Sequence, residues 1–380
     1  IIELNGNQNF STIGHIDVNA PVQDTFLALS PNDSETNFVG LNGGANNNNS
    51  RTNATKGQSN TSNVQPIETQ HLKLTNTSNH CFVNSVINLL GKTGYVPFLK
   101  THISHFLSGL PLESFKLSRA LLKLFENKTT NNMSSQEVRS LVAQHSKKSK
   151  FDDGTQQDAS EFLYYLEGLL NEELAEIPTF SDVRDSHRGI EQIRKKFLDN
   201  PPSGTCKKCN RSPSSRDQPF FYLKLRVPKS HLSVNLSSLI DNHFSENVNT
   251  IKMKCSFCCP HAAQRRVCTQ TGFCNRNAVE QIVLIKAPLY LLILLNRSES
   301  NTGPKVMTPV KIEEDLTLSG NTHYEPIAVV DHQGYTINGG HYVTHSKADS
   351  GNWILSSDTE IKASSLLQAN SEDNLSLIHI

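Results

Sequence analysis

The stretch LTNTSNHCFVNSVINLL, residues 74–90, reads as a polar, asparagine-rich loop that runs directly into an apolar helix. Cys81 stands at the junction, and the apolar positions that follow it predict a helix over about 79–90. A cysteine in the first turn of a helix lies where unpaired N–H groups and the helix dipole favour the nucleophilic thiolate. Asn76 can direct an amide donor toward a developing oxyanion. The alternative is a buried core cysteine, since free cysteine is among the most buried residue types.

Charge and hydropathy limit the class of protein. The chain has 380 residues, of which 36 are basic and 36 acidic, so its formal net charge is zero. A neutral chain gives no electrostatic reason to expect a nucleic-acid partner. No apolar run of roughly 18 residues predicts a membrane segment, and no signal sequence opens the chain. We therefore expect an intracellular protein of the cytoplasm or nucleus, and a monomer.

The first part of the chain is compositionally distinct. Residues 1–70 are rich in Asn, Ser, Thr and Gly, and such sequence buries too little apolar surface to offset the entropy of the chain. This segment is predicted to be mostly disordered. Phe26, Leu27 and Leu29 are its one place for a short ordered element.

Helices are predicted next. PLESFKLSRALLKLFENK, residues 111–128, has Pro111 near the start of a helix. A capping box of Ser134 and Glu137 predicts a helix over about 135–145. In FDDGTQQDASEFLYYLEGLLNEEL, residues 151–174, Thr155 is the expected cap, and one apolar face follows it.

Strands dominate the second half. They are predicted in QPFFYLKLRVP (218–228), on both sides of Pro288 within 278–297, in HYEPIAVVDHQGYT (323–336), in GGHYVTHSK (339–347) and in NWILSS (352–357). Gly334 is the expected turn before the glycine pair. Helices first and antiparallel strands afterwards indicate an α+β fold.

Four cysteines form a candidate metal site. CKKC supplies Cys206 and Cys209, and CSFC supplies Cys255 and Cys258. Two CxxC turns present the four thiolates of a structural, tetrahedral Zn²⁺ site. The long insertion between them requires two hairpin tips to meet, which predicts a finger-like β extension. Lost metal, disulfides, or Cys259 in place of Cys258 are the alternatives, and Cys268 and Cys274 have no evident partner. A zinc-dependent nucleic-acid binder is disfavoured because no recognition helix follows the cysteines.

A second candidate site lies in NGGHYVTHSK. Gly339 and Gly340 permit close backbone approach immediately before His341, which favours this histidine over the nearby His332 and His345. Trp353 follows, and then Ser356, Ser357 and Asp358. One of these three could accept a hydrogen bond from the imidazole and fix its tautomer in a Cys–His–acid arrangement.

A third candidate is TQQDASEF, which places Gln156, Gln157, Asp158 and Glu161 around the start of the long helix. Acids near a helix N-terminus are favourable because of the dipole alone. The functional interpretation is an acidic, amide-rich mouth that holds a basic, extended peptide.

In this order, the pieces resemble the ubiquitin-specific proteases, papain-like deubiquitinases whose cysteine box reads about G-L-x-N-x-G-N-T-C-Y-M-N-S. LTNTSNHCFVNS supplies Asn76, Cys81, Asn84 and Ser85 in register. QQDASEFL matches the family's Q-Q-D-A-x-E-F-L signature, and the two CxxC pairs match its fingers. Gly340, His341, Tyr342, Trp353 and Asp358 match its histidine box.

The resemblance implies a papain-like fold with a helical thumb, a β-rich palm and zinc-bearing β fingers. It implies a catalytic domain over 71–362, which follows the segment over 1–70 that composition predicts to be disordered and precedes a tail over 363–380. Within the domain, the thumb is expected over about 71–200, the fingers over 201–275 and the palm over 276–362.

The resemblance also implies roles. Cys81 is the nucleophile, His341 the general base and acid, and Asn76 the oxyanion donor, while Ser357 or Asp358 orients the histidine. Gln157, Asp158 and Tyr342 are expected to bind substrate, with Asp158 facing the basic ubiquitin tail. The sequence departs from the family at Ser78, Asn79 and His80, and Ser357 stands where the family has Asn or Asp.

The leading hypothesis is therefore a cysteine isopeptidase that cleaves after the C-terminal glycine of ubiquitin through a thioester. One alternative is a catalytically weak scaffold that binds ubiquitin, motivated by the altered cysteine loop and by Ser357. Another is a protease with the same chemistry for a ubiquitin-like modifier.

Overall fold

A computed structural model describes residues 24–31, 71–103, 115–126, 132–147, 149–175, 177, 179–258, 276–297, 305–318, 322–336 and 339–369. Six helices of this part precede most of the strands. They are α1 Cys81–Leu90, α2 Tyr95–Phe98, α3 Lys116–Glu126, α4 Gln136–Ser146, α5 Ala159–Leu174 and α6 Phe180–Ser186. A π-helical turn spans Leu99–Ile103 and a 3₁₀ turn spans Ser149–Phe151. Two further helices, α7 Leu236–Phe244 and α8 Leu366–Ala369, come later.

The strands, in chain order, are β1 Asp24–Pro31, β2 Gly189–Phe197, β3 Arg216–Phe220, β4 Tyr222–Arg226, β5 Val234–Asn235, β6 Glu246–Met253 and β7 Arg276–Lys286. They continue with β8 Leu291–Asn296, β9 Val310–Lys311, β10 Leu316–Leu318, β11 Thr322–Thr336, β12 Gly339–Lys347, β13 Trp353–Ser357 and β14 Glu360–Ser364.

Two principal sheets form. The large sheet has the order β14-β13-β12-β11-β1-β8-β4, with β10 also paired to β11. Its described pairs are antiparallel except for β4, which runs parallel to β8. The small sheet has the order β3-β2-β7-β6 and is antiparallel. A short parallel pair joins β5 to β9.

Helix α1 lies at the centre of the fold because all ten of its residues are buried. One side of α1 contacts α5, where Phe82 meets Phe162 edge-on at 5.4 Å between ring centroids. The other side contacts β12 of the large sheet. Strand β8 is buried over Leu291–Leu295, as expected for a strand whose two faces are both covered. The helices and the large sheet thus share one apolar core, and α1 carries Cys81 into it.

The mixed helix-and-sheet prediction is confirmed, but several local expectations are wrong. Asp158, not Thr155, caps α5, because its carboxylate accepts from the N–H groups of Ser160 and Glu161. The N-cap of α4 is Ser135 rather than Ser134, and its hydroxyl donates to Oδ1 of Asn84 instead of accepting a backbone N–H of the helix. Gly334 lies within β11 rather than in a turn. Pro111 lies outside the described residues.

The expected internal boundaries also differ from the sheets. The small sheet, which corresponds to the fingers, includes β2 before residue 201 and β7 after residue 275. Strand β4, within the segment expected to form fingers, joins the large sheet instead. Because β2 pairs with β7 along its length, the small sheet draws on chain segments from both sides of the range 201–275.

The segment expected to be disordered contains β1, which pairs with both β8 and β11. Phe26, Leu27 and Leu29, the expected short element, fall within this strand. The rest of residues 1–70 lies outside the described part of the chain. Within the described residues, no helix has the length and apolar character needed to cross a bilayer.

Candidate active site

Cys81 is the first residue of α1 and is 1% exposed. Burial raises the pKa of its thiol above the ordinary value. A hydrogen bond from the backbone N–H of Tyr342 opposes this rise in pKa, and the Asp358 carboxylate adds to it. The expectation that the helix terminus favours the thiolate is therefore outweighed by desolvation. The same contact with Tyr342 places Cys81 against β12, the strand that also carries His341.

His341 lies near the start of β12, opposite Gln333 of β11. Its Nε2 is 2.9 Å from the Ser357 hydroxyl oxygen and 3.8 Å from Oδ2 of Asp358. Of the three residues considered for its orientation, Ser357 is the one at hydrogen-bond distance. Ser356 is buried, and its hydroxyl lies 3.5 Å from Nδ1 of His71.

Asp358 joins the turn after β13 to the segment before Cys81. Its Oδ2 accepts from Nδ2 of Asn76 at 2.8 Å, and its Oδ1 accepts from Nδ2 of Asn84 at 2.7 Å. Its backbone carbonyl accepts from the N–H of Leu74 at 3.0 Å. Asp358 adopts a left-handed backbone with a φ of 51°, which aspartate tolerates. The carboxylate therefore holds the expected oxyanion donor and a residue of α1 at the same time.

Asn76 is bound at both ends of its amide. Its Nδ2 donates to Asp358, and its Oδ1 accepts the backbone N–H of His80 at 2.8 Å. His80 itself is 1% exposed, and its Nε2 lies 2.7 Å from Oε1 of Gln136 on α4. The His80 imidazole thus points into the helical layer. Although His80 directly precedes Cys81 in the sequence, its ring is not part of the candidate catalytic site.

Ser78 stands where the resemblance leads us to expect glycine, and the fold accommodates its side chain. Its side chain is exposed and faces Gly154, where an added Cβ would lie 2.9 Å from the Ser78 Oγ. Asn79, whose φ is 51°, donates from Nδ2 to the carbonyl of Gly154 at 2.8 Å. A glycine on the opposite segment therefore leaves the room that Ser78 needs.

Gln156 is a site residue that the motif alone left without a defined role. Its Oε1 accepts the backbone N–H of Gly340 at 2.9 Å, and its Nε2 donates to the carbonyl of the same glycine. Gly340 directly precedes His341, and a Cβ there would lie 2.6 Å from Nε2 of His332. The start of α5 is therefore tied to the strand that carries His341. Only the glycine pair in the sequence pointed to such close approach.

The three expected substrate-binding residues lie in different surroundings. The Asp158 carboxylate caps α5, and the residue is 4% exposed. Gln157 donates to the hydroxyl of Thr155 at 2.5 Å. Tyr342 is 3% exposed, and its ring packs against His332 at 4.5 Å between centroids. Asp158 and Tyr342 thus have structural contacts, and substrate contacts of all three residues stay predictions.

The four expected metal ligands meet in the small sheet. The sulfur atoms of Cys206, Cys209, Cys255 and Cys258 all lie within 4.8 Å of one another. The Cys206–Cys258 sulfur separation is 3.5 Å and the Cys209–Cys255 separation is 3.7 Å. All four are free thiols that could hold a metal ion. Cys259, Cys268 and Cys274 lie outside the described residues.

The fold and the cysteine–histidine site define a papain-like protein with a finger extension. The profile of the family described as UCH, ubiquitin carboxyl-terminal hydrolase, matches residues 72–374. The chain therefore belongs to the ubiquitin carboxyl-terminal hydrolase family.

Individual relatives are more distant. The Drosophila melanogaster protein named ubiquitin carboxyl-terminal hydrolase Usp2 is 27% identical over 305 residues, which are 72% of this chain and 31% of that protein. Human ubiquitin carboxyl-terminal hydrolase 17-like protein 12 is 29% identical over 119 residues, 29% of this chain and 22% of that protein. These matches thus span less than a third of either relative's own length.

Among solved structures, the fold resembles a chain of the SAGA Ubp8/Sgf11/Sus1/Sgf73 DUB module bound to ubiquitin aldehyde. The TM-score is 0.61 at 18% identity, and the match covers 81% of this chain and 68% of that chain. A similar match, also at TM-score 0.61 and 18% identity, is to the same module with a substituted Ubp8, bound to monoubiquitin, and it covers 82% and 68% of the two chains. At this identity the likeness shows the fold.

Proposed function

We propose that this protein is a thiol-dependent deubiquitinase that hydrolyses peptide or isopeptide bonds at the C-terminal glycine of ubiquitin. The observation that carries the proposal is the arrangement around Cys81. Helix α1, the loop before it, β12 and the turn after β13 bring Asn76, His341, Ser357 and Asp358 to one place. The family supports this chemistry, and the similar solved structures bound to ubiquitin aldehyde or to monoubiquitin support the substrate class.

In the proposed mechanism, Cys81 attacks the carbonyl carbon of the terminal glycine and His341 takes its proton. The Asn76 amide and the Cys81 backbone N–H bind the oxyanion. His341 then protonates the leaving lysine amine, and a water activated by His341 hydrolyses the thioester. Burial keeps the resting thiol largely protonated, so proton transfer to His341 has to accompany attack.

Ser357 and Asp358 share the role of the acid in a Cys–His–acid arrangement. Ser357 orients His341, because its hydroxyl is within hydrogen-bond distance of Nε2 and Asp358 is not. Asp358 positions Asn76, because it accepts a hydrogen bond from the amide that faces the oxyanion. A serine hydroxyl is a neutral acceptor, so it supports the imidazolium that forms during the reaction less than a carboxylate would.

The same proposal covers substrate and location. Ubiquitin or ubiquitinated proteins are the partners, and Gln157, Asp158 and Tyr342 line the path of the basic ubiquitin tail. We place the catalytic domain at 71–362 within a monomer that acts in the cytoplasm or nucleus, a reducing environment suited to free thiols. No role for nucleic acid follows from the neutral net charge.

We also propose that the four-cysteine cluster holds a structural Zn²⁺. With Zn–S bonds of about 2.3 Å, a tetrahedral site separates sulfurs by about 3.8 Å. The Cys206–Cys258 and Cys209–Cys255 separations of 3.5 and 3.7 Å are close to this value, all four sulfurs lie within 4.8 Å of one another, and four thiolates are a donor set typical of structural zinc. Bound zinc would hold the two CxxC turns together, and it takes no part in the chemistry at Cys81.

A ubiquitin probe with a C-terminal electrophile tests the function. We expect covalent labelling of the native chain and its complete loss in Cys81→Ala. Binding of ubiquitin without labelling would contradict the proposal and favour a catalytically weak scaffold. Labelling only by the equivalent probe of a ubiquitin-like modifier would identify the alternative substrate. Thermal melting of Cys81→Ala serves as the control that the variant is folded.

A further inference from the structure

Arg139 is a buried arginine on α4 that contacts the loop before Cys81. It is 1% exposed, and its Nη1 donates to the carbonyl of Ser78 at 2.7 Å. Its Nε donates to the carbonyl of Phe151. The guanidinium lies over the ring of Phe82, 5.3 Å from the centroid. One planar side chain thus joins the cysteine loop, the turn that begins at residue 151 and the first turn of α1.

The charge of Arg139 is not neutralised by an ion pair within the described residues. Its hydrogen-bond acceptors are backbone carbonyls. Burial lowers the pKa of the guanidinium, whereas the nearby Asp152, Asp153 and Cys81 act in the opposite direction. Burying a charge without a carboxylate is costly. Because a buried methionine would pack with less cost, the charge and fork of Arg139 call for an explanation beyond packing.

Other residues on the same face of α4 reinforce these contacts. Gln136 bonds to Nε2 of His80 at 2.7 Å and donates to the Asp152 carboxylate at 2.7 Å. Ser140 donates to the other oxygen of Asp152 at 2.9 Å. Together, these side chains hold both the loop that precedes Cys81 and the turn that faces it.

The loop held in this way carries the proposed oxyanion donors. Ser78 lies midway between Asn76 and the backbone N–H of Cys81. A shift of its peptide plane would therefore move both donors, and positioning errors of about 1 Å can lower a reaction rate roughly 10²-fold.

We propose that Arg139 is a positioning residue that fixes the cysteine loop in the geometry required for oxyanion binding. This inference rests on the proposed function, since it concerns the same site. The guanidinium fork spans two carbonyls from separate segments, which the single ammonium of lysine does not reproduce. The charge favours the Cys81 thiolate, and the fork fixes the backbone.

The test compares Arg139→Met and Arg139→Lys with Arg276→Met. Arg276 is a matched control because it is also buried, at 6% exposed, and lies over a phenylalanine ring, Phe197, at 5.7 Å. It belongs to β7 of the small sheet, where it pairs with Asp199 at 2.6 Å. Turnover of ubiquitin carrying a C-terminal fluorogenic amide gives kcat and KM, and thermal melting reports folding.

We expect Arg139→Met to lower kcat about 10²-fold with KM changed by less than about threefold. The kcat of Arg139→Lys should lie between those of the native chain and Arg139→Met, because lysine keeps the positive charge but loses the guanidinium fork. The rate of Cys81 alkylation by iodoacetamide, followed by peptide mass spectrometry, should reach its half-maximum at higher pH in Arg139→Met than in the native chain. Arg276→Met should lower the melting temperature and leave this alkylation profile unchanged.

Equal kcat losses in Arg139→Met and Arg276→Met, corrected for the folded fraction, would overturn the inference. If Arg139→Met does not fold, Arg139→Lys decides: a native kcat refutes the role, and a lower kcat at unchanged KM supports it. A native chain that fails to turn over the ubiquitin substrate would refute the proposed function instead. The alkylation profile, which needs no ubiquitin, would then judge Arg139 independently.

Discussion

Replacing Asp358 with asparagine separates the role of its charge from that of its shape. The native carboxylate accepts from Asn76 at 2.8 Å through one oxygen and from Asn84 at 2.7 Å through the other. An asparagine keeps one oxygen, and its NH₂ must then face one of the two donors. Asn84 is 1% exposed, whereas Asn76 is open to solvent. The remaining acceptor should therefore stay with Asn84, and the donor conflict should fall on Asn76.

The size of the effect follows from these environments. A hydrogen bond to a charged group contributes about 1.5–3 kcal/mol. Because water can replace part of the lost contact at Asn76, we take the lower end, about 1.5 kcal/mol, which corresponds to a roughly tenfold lower kcat. Removing the negative charge also lowers the pKa of Cys81. Burial is the largest cause of that raised pKa and is unchanged, so this gain should not offset the loss.

The assay is turnover of a fluorogenic ubiquitin amide by Asp358→Asn, Asn76→Ala and the double variant. If Asp358 acts through Asn76, the second substitution should have little further effect in the background of the first. Ser357→Ala, from the same turn, is the control, because its loss of kcat should persist in the Asn76→Ala background. A kcat for Asp358→Asn within about twofold of the native value, or full additivity with Asn76→Ala, would refute the reasoning.

Three other predictions concern the tie to β12, the cysteine cluster and a buried histidine. Gln156→Glu removes the donor to the Gly340 carbonyl and should lower kcat about tenfold. Gln192→Glu, at the surface of the small sheet, is the control and should leave kcat unchanged. Equal kcat values for the two variants would contradict the proposed tie between Gln156 and the strand that carries His341. Chelation should remove one equivalent of zinc, measured by mass spectrometry, and lower the melting temperature; an unchanged melting curve after complete removal would count against a structural site. Burial lowers the pKa of His187 from 6.5 to about 4. Its contribution to stability should therefore be complete above pH 6.5 and fall by about 1.4 kcal/mol per pH unit below it, down to about pH 4. Melting scans should show a smaller acid loss in His187→Phe, and the same loss in both chains would exclude this histidine as a contributor.

The parts of the site that could be predicted are those that one short motif carries. Cys81 begins a helix because apolar residues follow a polar loop, and the glycine pair before His341 marks a backbone that another group approaches closely. These patterns are local. The packing of α1 against β12, by contrast, joins distant parts of the chain. Periodicity does not predict it, and only the family resemblance, which assigns Cys81 and His341 to one site, pointed to it.

What could not be predicted depends on long-range contacts of polar side chains. The resemblance implies a role for Gln157 and none for Gln156, but it is Gln156 that bonds to Gly340, 184 residues away. Asp158 is expected to contact substrate and Thr155 to cap α5, but in the fold the Asp158 carboxylate is the cap. Tyr342 follows His341 directly, yet alternation along a strand directs neighbouring side chains to opposite faces, and its ring is buried.

Ser357 orients His341 and Asp358 positions Asn76 because of the turn that carries the two residues. Ser357 is the last residue of β13, and Asp358 adopts a left-handed conformation directly after it. That reversal directs the hydroxyl to Nε2 of His341 and the carboxylate to Asn76 and Asn84. Asp358 does not orient His341 in this geometry, because its Oδ2 lies 3.8 Å from Nε2 while both of its oxygens accept a hydrogen bond from an asparagine. A serine before it is therefore compatible with a working site, because the carboxylate that the serine lacks is present one residue later and acts on the oxyanion side.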